Sequence, residues 1–437
     1  MLAFFGAIVI GSVLLALPAS SASGRPVPYL DALFTATTSV CVTGLVTMPT
    51  VSAWSTFGHA VILLLIQIGG LGVITVFSGF IISAGKKLGI GYRMLVQDSF
   101  NLNSLDGMME FTNKVILSSF AVEGAGALLY MTVFVPEYGA RGIWISVFTS
   151  VSAFCNAGLD IISENSLCDY ALNPVVNFTT MFLIIMGGIG FVVWLDIVRA
   201  AGRVKTMGAK TLSRLTLHSK IALSTTFILI VSGTLAVLVF EYNNPQTIGN
   251  MTFLQKIQAS LFQSVTTRTA GFATVPQENL TAPTALISML LMFIGGSPVG
   301  TAGGIKTVTV TVILACALAA VKQKDEVTLF GRNLSKQAVK KAIGVAAMSF
   351  MIAFISGVLL SAVSQGDVLD TLYESVSACA TVGLSRNFTG TLTPAGKAII
   401  IATMYLGRVG PISLAVAFNR KIKPAVVKSP VEEVSIG

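Results

Sequence analysis

The feature that most constrains this chain is a glycine peptide that returns three times. TSVCVTGL (38–45), SAFCNAGL (152–159), TTRTAGF (266–272) and SACATVGL (377–384) carry Gly44, Gly158, Gly271 and Gly383, which stand 114, 113 and 112 residues apart. A period of this length in a 437-residue chain means four copies of one large unit, not a solenoid of short repeats. An aromatic residue precedes each glycine, Phe34, Phe148 and Tyr373 by ten residues and Phe262 by nine.

The surroundings of these peptides are apolar. Hydrophobic residues make up 54% of the chain and charged ones 11%, with a mean hydropathy of +0.82, whereas a soluble domain carries about 25% charged residues. This is the composition of an integral membrane protein. Runs long enough for the roughly 20 residues of a spanning helix fall at 2–18, 56–84, 112–135, 174–200, 218–240, 283–321 (interrupted), 340–363 and 394–418. That predicts eight spans, two per repeat, with a glycine peptide between the members of each pair.

The first span ends in small residues and has the outline of a signal peptide. No Lys or Arg precedes Arg25, however, so the basic leader is missing and the segment is expected to remain as the first helix of repeat one. The five cysteines, Cys41, Cys155, Cys168, Cys316 and Cys379, show no metal-ligand spacing and read as small packing residues. With two histidines in the chain, no HExxH and no GxxxxGK, nothing supports an enzyme.

Twenty of the 28 Lys and Arg fall in 85–114, 196–220, 322–341 and 419–437. The positive-inside rule makes these segments, and with them both termini, cytoplasmic. The net charge of +9 is thus mainly a topology signal and does not require a nucleic acid partner. The opposite face carries ten Asp and Glu against five Lys and Arg, an acidic mouth able to concentrate cations or simply a solvated surface.

Non-helical backbone at membrane depth must be buried in protein or line a water-filled cavity. Four glycine peptides in same-sense units are therefore expected to face one another around an axis. A ring of backbone carbonyls can coordinate a dehydrated cation, and glycine relieves the steric cost of an extended peptide whose carbonyls point inward. The segments 31–39, 143–153, 252–265 and 369–378 have the length of re-entrant half-helices, whose C-terminal ends would present partial negative charge to an ion.

With these motifs in place, the sequence resembles the Ktr/Trk/HKT superfamily of potassium transporters over essentially its whole length, and within it the Ktr-type membrane subunit. The resemblance implies an all-α membrane fold of four tandem M1-P-M2 repeats (helix, pore loop, helix) around a pseudo-fourfold pore. The expected divisions are 1–84, 85–200 with a leading cytoplasmic linker, 201–321 with a broken second helix, 322–418, and a cytoplasmic tail at 419–437. It implies a selectivity filter of Val42-Thr43-Gly44, Asn156-Ala157-Gly158, Thr269-Ala270-Gly271 and Thr381-Val382-Gly383, with K+ at the carbonyls. Glycine at all four key positions, with no serine at the first, argues within the family for potassium over sodium.

The second helices carry a further echo: QIGGLG, IMGGIG, FIGGSPVGTAGG and YLGRVGP, with Gly69, Gly187, Gly295 and Gly407 at 25, 29, 24 and 24 residues after the filter glycines. In repeats one and two these read as close-packing glycines. In repeat three the helix must break, because GGSPVGTAGGIK holds five glycines and a proline. That stretch resembles the family's intramembrane gate loop, here Gly295, Gly296, Ser297, Gly300, Thr301, Ala302, Gly303, Gly304 and Lys306, with Pro298 and Val299 replacing the usual small residues. Arg408 resembles the family arginine that contacts the loop, through groups such as Thr301, and Lys306 is expected to anchor the loop toward the cytoplasm. Arg268 is either a donor to pore-helix carbonyls or a residue acting on the ion; Glu123 is either its remote partner or a carboxyl held by packing.

The reading that follows is sodium-stimulated potassium uptake in a prokaryotic plasma membrane. The resemblance implies a homodimer among membrane lipids, gated by a cytoplasmic RCK-type nucleotide-binding ring. No cofactor is expected in this chain, and ATP or ADP would bind the partner. The competing reading is a secondary potassium or cation symporter with alternating access between repeats.

Overall fold

The computed structural model describes residues 2–72, 108–202, 215–324 and 326–410. Four times the chain runs through one order: a helix, a shorter helix, a glycine peptide and a further helix. Unit one comprises α1 (Leu2–Ala16), α2 (Tyr29–Cys41) and α3 (Thr56–Leu71). Unit two comprises α4 (Met108–Tyr138), α5 (Ala140–Phe154), α6 (Pro174–Gly188) and α7 (Phe191–Ala201). Unit three has α8 (Leu217–Glu241), α9 (Phe253–Thr266), α10 (Ala282–Phe293) and α11 (Thr307–Val321); unit four has α12 (Lys336–Val363), α13 (Val368–Ala380) and α14 (Pro394–Val409). Between the last two units lies a small hairpin, β1 (Thr328–Leu329) and β2 (Arg332–Asn333).

Residues 110–138, α8 and α12 are each long and apolar enough to cross a membrane, and α6 with α7 qualifies as a pair bent by 98°. The helix starts follow local chemistry. Ser55, Thr216, Ser335 and Thr393 each accept the backbone N–H three residues on, and Asn173 caps α6 ahead of Pro174.

Polarity is inverted relative to a soluble protein. The long helices present Leu117, Phe227, Val239 and Phe350 outward, while hydroxyl residues such as Thr38, Ser152, Thr266 and Ser377 are buried on the short helices. An apolar envelope around a polar centre is what a hydrocarbon solvent selects. The four aromatics that precede the glycines, Phe34, Phe148, Phe262 and Tyr373, are wholly buried and wedge each short helix in place.

Two expectations require correction. Residues 174–200 were read as one span with no break; they qualify only as a bent pair, since the helix stops at Gly188 and restarts at Phe191, with Gly190 at φ +93°. The bare glycine lets the backbone enter a region closed to L side chains, and the carbonyls freed there are used by another unit. The acidic outer face is also less free than a count suggests, since Lys397 pairs with Asp31 at 2.5 Å and Arg386 with Asp370 at 2.7 Å. Glu241 is saturated by Thr281, Asn244 and Thr247. The expected linker over 85–107, the second helix of unit one beyond residue 72, and the tail at 419–437 lie outside the described residues.

Candidate functional site

Each short helix delivers its glycine peptide through a residue in the left-handed region: Val42 (φ +55°), Asn156 (+59°), Thr269 (+63°) and Thr381 (+51°). The closing glycines are also left-handed, at +100°, +64°, +82° and +95° for Gly44, Gly158, Gly271 and Gly383, whereas the middle residues Thr43, Ala157, Ala270 and Val382 are not. The peptides are therefore not the extended strands expected. A strand turns successive carbonyls to opposite sides, while a backbone that alternates in the sign of φ turns them to the same side.

The four peptides interlock. A methyl group on Gly44 would lie 2.6 Å from the Ala157 oxygen, one on Gly158 2.6 Å from the Ala270 oxygen, and one on Gly271 2.5 Å from the Val382 oxygen. One on Gly383 would overlap the Thr43 oxygen. The series closes in chain order, each unit leaning on the next and the fourth on the first. Neither backbone angle nor space admits a side chain at these positions. Above the ring sits a cavity of about 400 Å³ with all four glycines in its wall, together with Asp160, Glu164 and Glu278. Burial pushes the Asp160 carboxyl up to about 6, against the opposing hydrogen bond from the Ile162 N–H.

Sequence reasoning passed over the groups that hold the peptides. In units one, two and four the middle residue's N–H binds the carbonyl of Thr38, Ser152 or Ser377, at 2.8, 2.8 and 2.9 Å. The hydroxyl of the same residue accepts the N–H of Gly44 at 2.9 Å, of Leu159 at 3.1 Å and of Gly383 at 3.0 Å. In unit three Thr266 accepts from Ala270 and its hydroxyl donates to the Phe272 carbonyl at 2.6 Å. The signal was present as a Ser or Thr six residues before the glycine, five in unit three.

Beneath the ring lies the loop between α10 and α11. Its neck is closed by Gly295 N–H to Ile305 O, Ile305 N–H to Phe293 O and Thr307 N–H to Gly296 O, at 3.0 to 3.1 Å, with the Ser297 and Thr307 hydroxyls 2.9 Å apart. Its tip is seated in the break of unit two. Ser297 N–H donates to Gly188 O (2.8 Å), Thr301 N–H to Gly187 O (3.1 Å), and Phe191 N–H to Val299 O (3.0 Å), with Gly300 packed on the Gly187 carbonyl. Its upper side meets the glycine peptides. The buried Thr301 hydroxyl lies 2.9 Å from Asn156 Oδ1, Gly303 N–H donates to Thr269 Oγ1 at 3.1 Å, and Gly303 abuts the Thr381 hydroxyl.

Arg408 ties this loop to two units at once, donating through Nη1 to the Thr301 carbonyl at 2.7 Å and through Nη2 to the Gly69 carbonyl at 2.5 Å. Lys306, expected to anchor the loop toward the cytoplasm, bonds the loop to itself: Nζ folds back to the Ala302 carbonyl at 2.6 Å, ahead of the positive-φ Gly304. Arg268 Nε is buried without a partner, so the expected donation to helix carbonyls is not made by that atom. Glu123 is bound by Gln67, not by Arg268.

The echo glycines divide by position. Gly69, Gly187 and Gly407 press on the carbonyls of Val40, Phe154 and Cys379, each four residues before the ring glycine of its unit, which is the packing role expected for units one and two and extends it to unit four. Gly295 presses instead on Gly303 of the loop. Three residues after the packing glycines, Gly72, Gly190 and Gly410 take φ of +85°, +93° and +79°; Gly72 and Gly410 cap the ends of α3 and α14, and Gly190 opens α7 just past the end of α6.

A self-closing ring of four non-identical backbone peptides, with an apolar helical envelope outside and a docked loop below, is the interior of a membrane protein that transports ions. The chain belongs to the TrkH family, described as cation transport protein, whose profile matches residues 7–427. It is a family of transporters, not of enzymes. The chain is 39% identical to Ktr system potassium uptake protein B of Bacillus subtilis, over 99% of this chain and 95% of that protein. It is 37% identical to the potassium/sodium uptake protein NtpJ of Enterococcus hirae, again over 99% and 95%. The crystal structure of the potassium transporter TrkH from Vibrio parahaemolyticus shares the fold at a TM-score of 0.74 and 15% identity, covering 95% of this chain and 84% of that one.

Proposed function

We propose that this chain takes up potassium through a channel-like pore whose selectivity filter is the ring of four glycine peptides. The observation that carries the reading is the cyclic interlock, in which each glycine is held against the carbonyl that precedes the next unit's glycine. Such a ring replaces the hydration shell of a monovalent cation with backbone oxygens, and the Thr43 and Thr381 hydroxyls, buried without protein partners, are free to add to it. The loop from Gly295 to Lys306 is the gate, held shut by Arg408. The four units are M1-P-M2 repeats with eight spans, divided as expected from the sequence, and both termini are cytoplasmic in a prokaryotic plasma membrane.

The names of the Bacillus and Enterococcus relatives support potassium as the cargo and a link to sodium. The Ktr system name supports a partner subunit, which we take to be a cytoplasmic nucleotide-binding ring acting on a homodimer. An alternating-access symporter is the second reading; the four glycine peptides close one ring in chain order, which argues for units of the same sense and against a repeat inverted across the membrane plane. Reversal potentials of the purified chain in liposomes under independent potassium and sodium gradients test the proposal. A potential that follows the potassium gradient alone supports the pore, and one set jointly by both gradients at fixed stoichiometry overturns it.

A further inference from the structure

Glu123, on α4, is a carboxylate sunk in the apolar envelope, 4% exposed, to which the ion pathway gives no role. Gln67 Nε2, from α3, donates to both of its oxygens at 3.1 and 3.2 Å. The Cys155 thiol, at the end of α5, lies 3.8 Å from Glu123 Oε1 and from Gln67 Oε1. The Ser150 hydroxyl donates to the backbone carbonyl of Glu123 at 2.6 Å, and one helical turn on, Gly126 packs against Leu183 of α6. Each of these direct neighbours is neutral, Cys155 being the titratable one; the Arg408 charge reaches Cys155 from α14 but is committed to the Thr301 and Gly69 carbonyls. Among the described residues no Lys, Arg or His forms an ion pair with Glu123.

An ionised carboxylate with no countercharge costs several kcal/mol in such surroundings. It is tolerated once a cation joins it. We propose that Glu123, Gln67 and Cys155 form a site for one exchangeable small monovalent cation, H+ or Na+, behind the glycine peptide of unit two. Rotating the Gln67 amide by half a turn exchanges Nε2 for Oε1, which then either accepts a Glu123 O–H or joins the carboxylate around Na+.

Two routes lead from this site to Thr301 of the loop. Gln67 lies two residues before Gly69 on α3, and the Gly69 carbonyl holds one arm of Arg408 while the other arm holds the Thr301 carbonyl. Cys155 immediately precedes Asn156, whose Oδ1 faces the Thr301 hydroxyl. Occupancy of the site therefore biases the docked loop. This coupling rests on the gate reading of the loop, whereas the site itself does not.

The two parts are tested separately. The full chain in liposomes is treated with dicyclohexylcarbodiimide, an uncharged reagent that takes protonated carboxyls in apolar surroundings, and modification of Glu123 is read by mass spectrometry. Labelling is expected to rise severalfold from alkaline to acid buffer. Protection by sodium, and not by choline at equal ionic strength, identifies Na+ as an occupant, while a pH response without protection identifies H+ alone. Labelling of Glu123 that is indifferent to both pH and sodium overturns the site. Coupling is read as potassium flux against pH and sodium: the native chain should vary by about fivefold or more, the low end for linked sites, and Glu123→Gln should flatten that dependence. If Glu123→Gln does not accumulate, Gln67→Leu should shift the labelling profile and the flux profile together. A flux dependence that survives Glu123→Gln while native labelling still responds keeps the site and refutes its link to the gate.

Discussion

Replacing Arg408 by alanine should open the pore, and the structure sets the size of the effect. The side chain makes two charged hydrogen bonds, to the Thr301 carbonyl on the loop and to the Gly69 carbonyl on α3. A hydrogen bond from a charged group contributes about 1.5–3 kcal/mol, and the first of the two is the one that holds the loop. Its loss shifts the docked-to-undocked balance by roughly 10- to 150-fold. The loop keeps its bonds to Gly187, Gly188 and Thr269, so it loosens without leaving. Potassium flux per folded molecule in liposomes should rise about tenfold or more. Arg408→Lys separates the tie from the charge, since it keeps the positive charge but cannot span both carbonyls; it should give an intermediate rise. Deleting 297–301 should raise flux further, and adding Arg408→Ala to that deletion should change little, because both remove one obstruction. Flux that falls in proportion to surviving folded protein refutes the gate. Native-like behaviour of Arg408→Lys beside a raised Arg408→Ala would show that charge in the pore, not the tie, sets the flux.

Gly44→Ser must fit a side chain at φ +100° against the Ala157 carbonyl; the potassium-to-sodium permeability ratio, from bi-ionic reversal potentials, should fall by roughly tenfold, equivalent to about 1.4 kcal/mol. Ser377→Ala strands the Gly383 N–H, which should cost about 1–3 kcal/mol, lower the thermal midpoint and weaken selectivity, while Ser377→Thr should preserve both. Asp160 has a folded pKa near 6, raised by burial above its unfolded value of 3.8. Its ionisation therefore opposes folding, and stability is fullest below the unfolded pKa and declines as pH rises toward 6. Asp160→Asn should remove that decline in a melting series.

How much of this was legible in the sequence depended on whether a signal was local. The ring glycines, the short helices that carry them and the broken helix of unit three follow from spacing and from glycine and proline chemistry within short windows. Arg408 stood out because charge is expensive at that depth. The break at Gly190 was hidden because IMGGIG reads as a packing motif. The first glycine of that motif does pack, and the last one turns the chain into the next helix. The same division between a packing glycine and a positive-φ one holds at Gly69 with Gly72 and at Gly407 with Gly410. The Gln67–Glu123 pair could not be read, since its members are 56 residues apart on helices of different units. The acceptor of Lys306, the Ala302 carbonyl, could not be read either, because it is in reach only once the loop has folded back on itself.

The width of the ring is fixed by main chain pressing on main chain, and this decouples aperture from side-chain identity. Val42, Asn156, Thr269 and Thr381 occupy one backbone position with three different chemistries. A pore assembled from four identical subunits changes at four places with every mutation. Here each sector drifts alone, so the underside of the ring has a defined azimuth: an amide toward unit two, hydroxyls toward three and four, and an apolar wall toward one. The loop reads that asymmetry, since it seats Thr301 on the amide and Gly303 on the hydroxyls. A one-sided gate thus becomes possible in a protein whose frame is nearly fourfold.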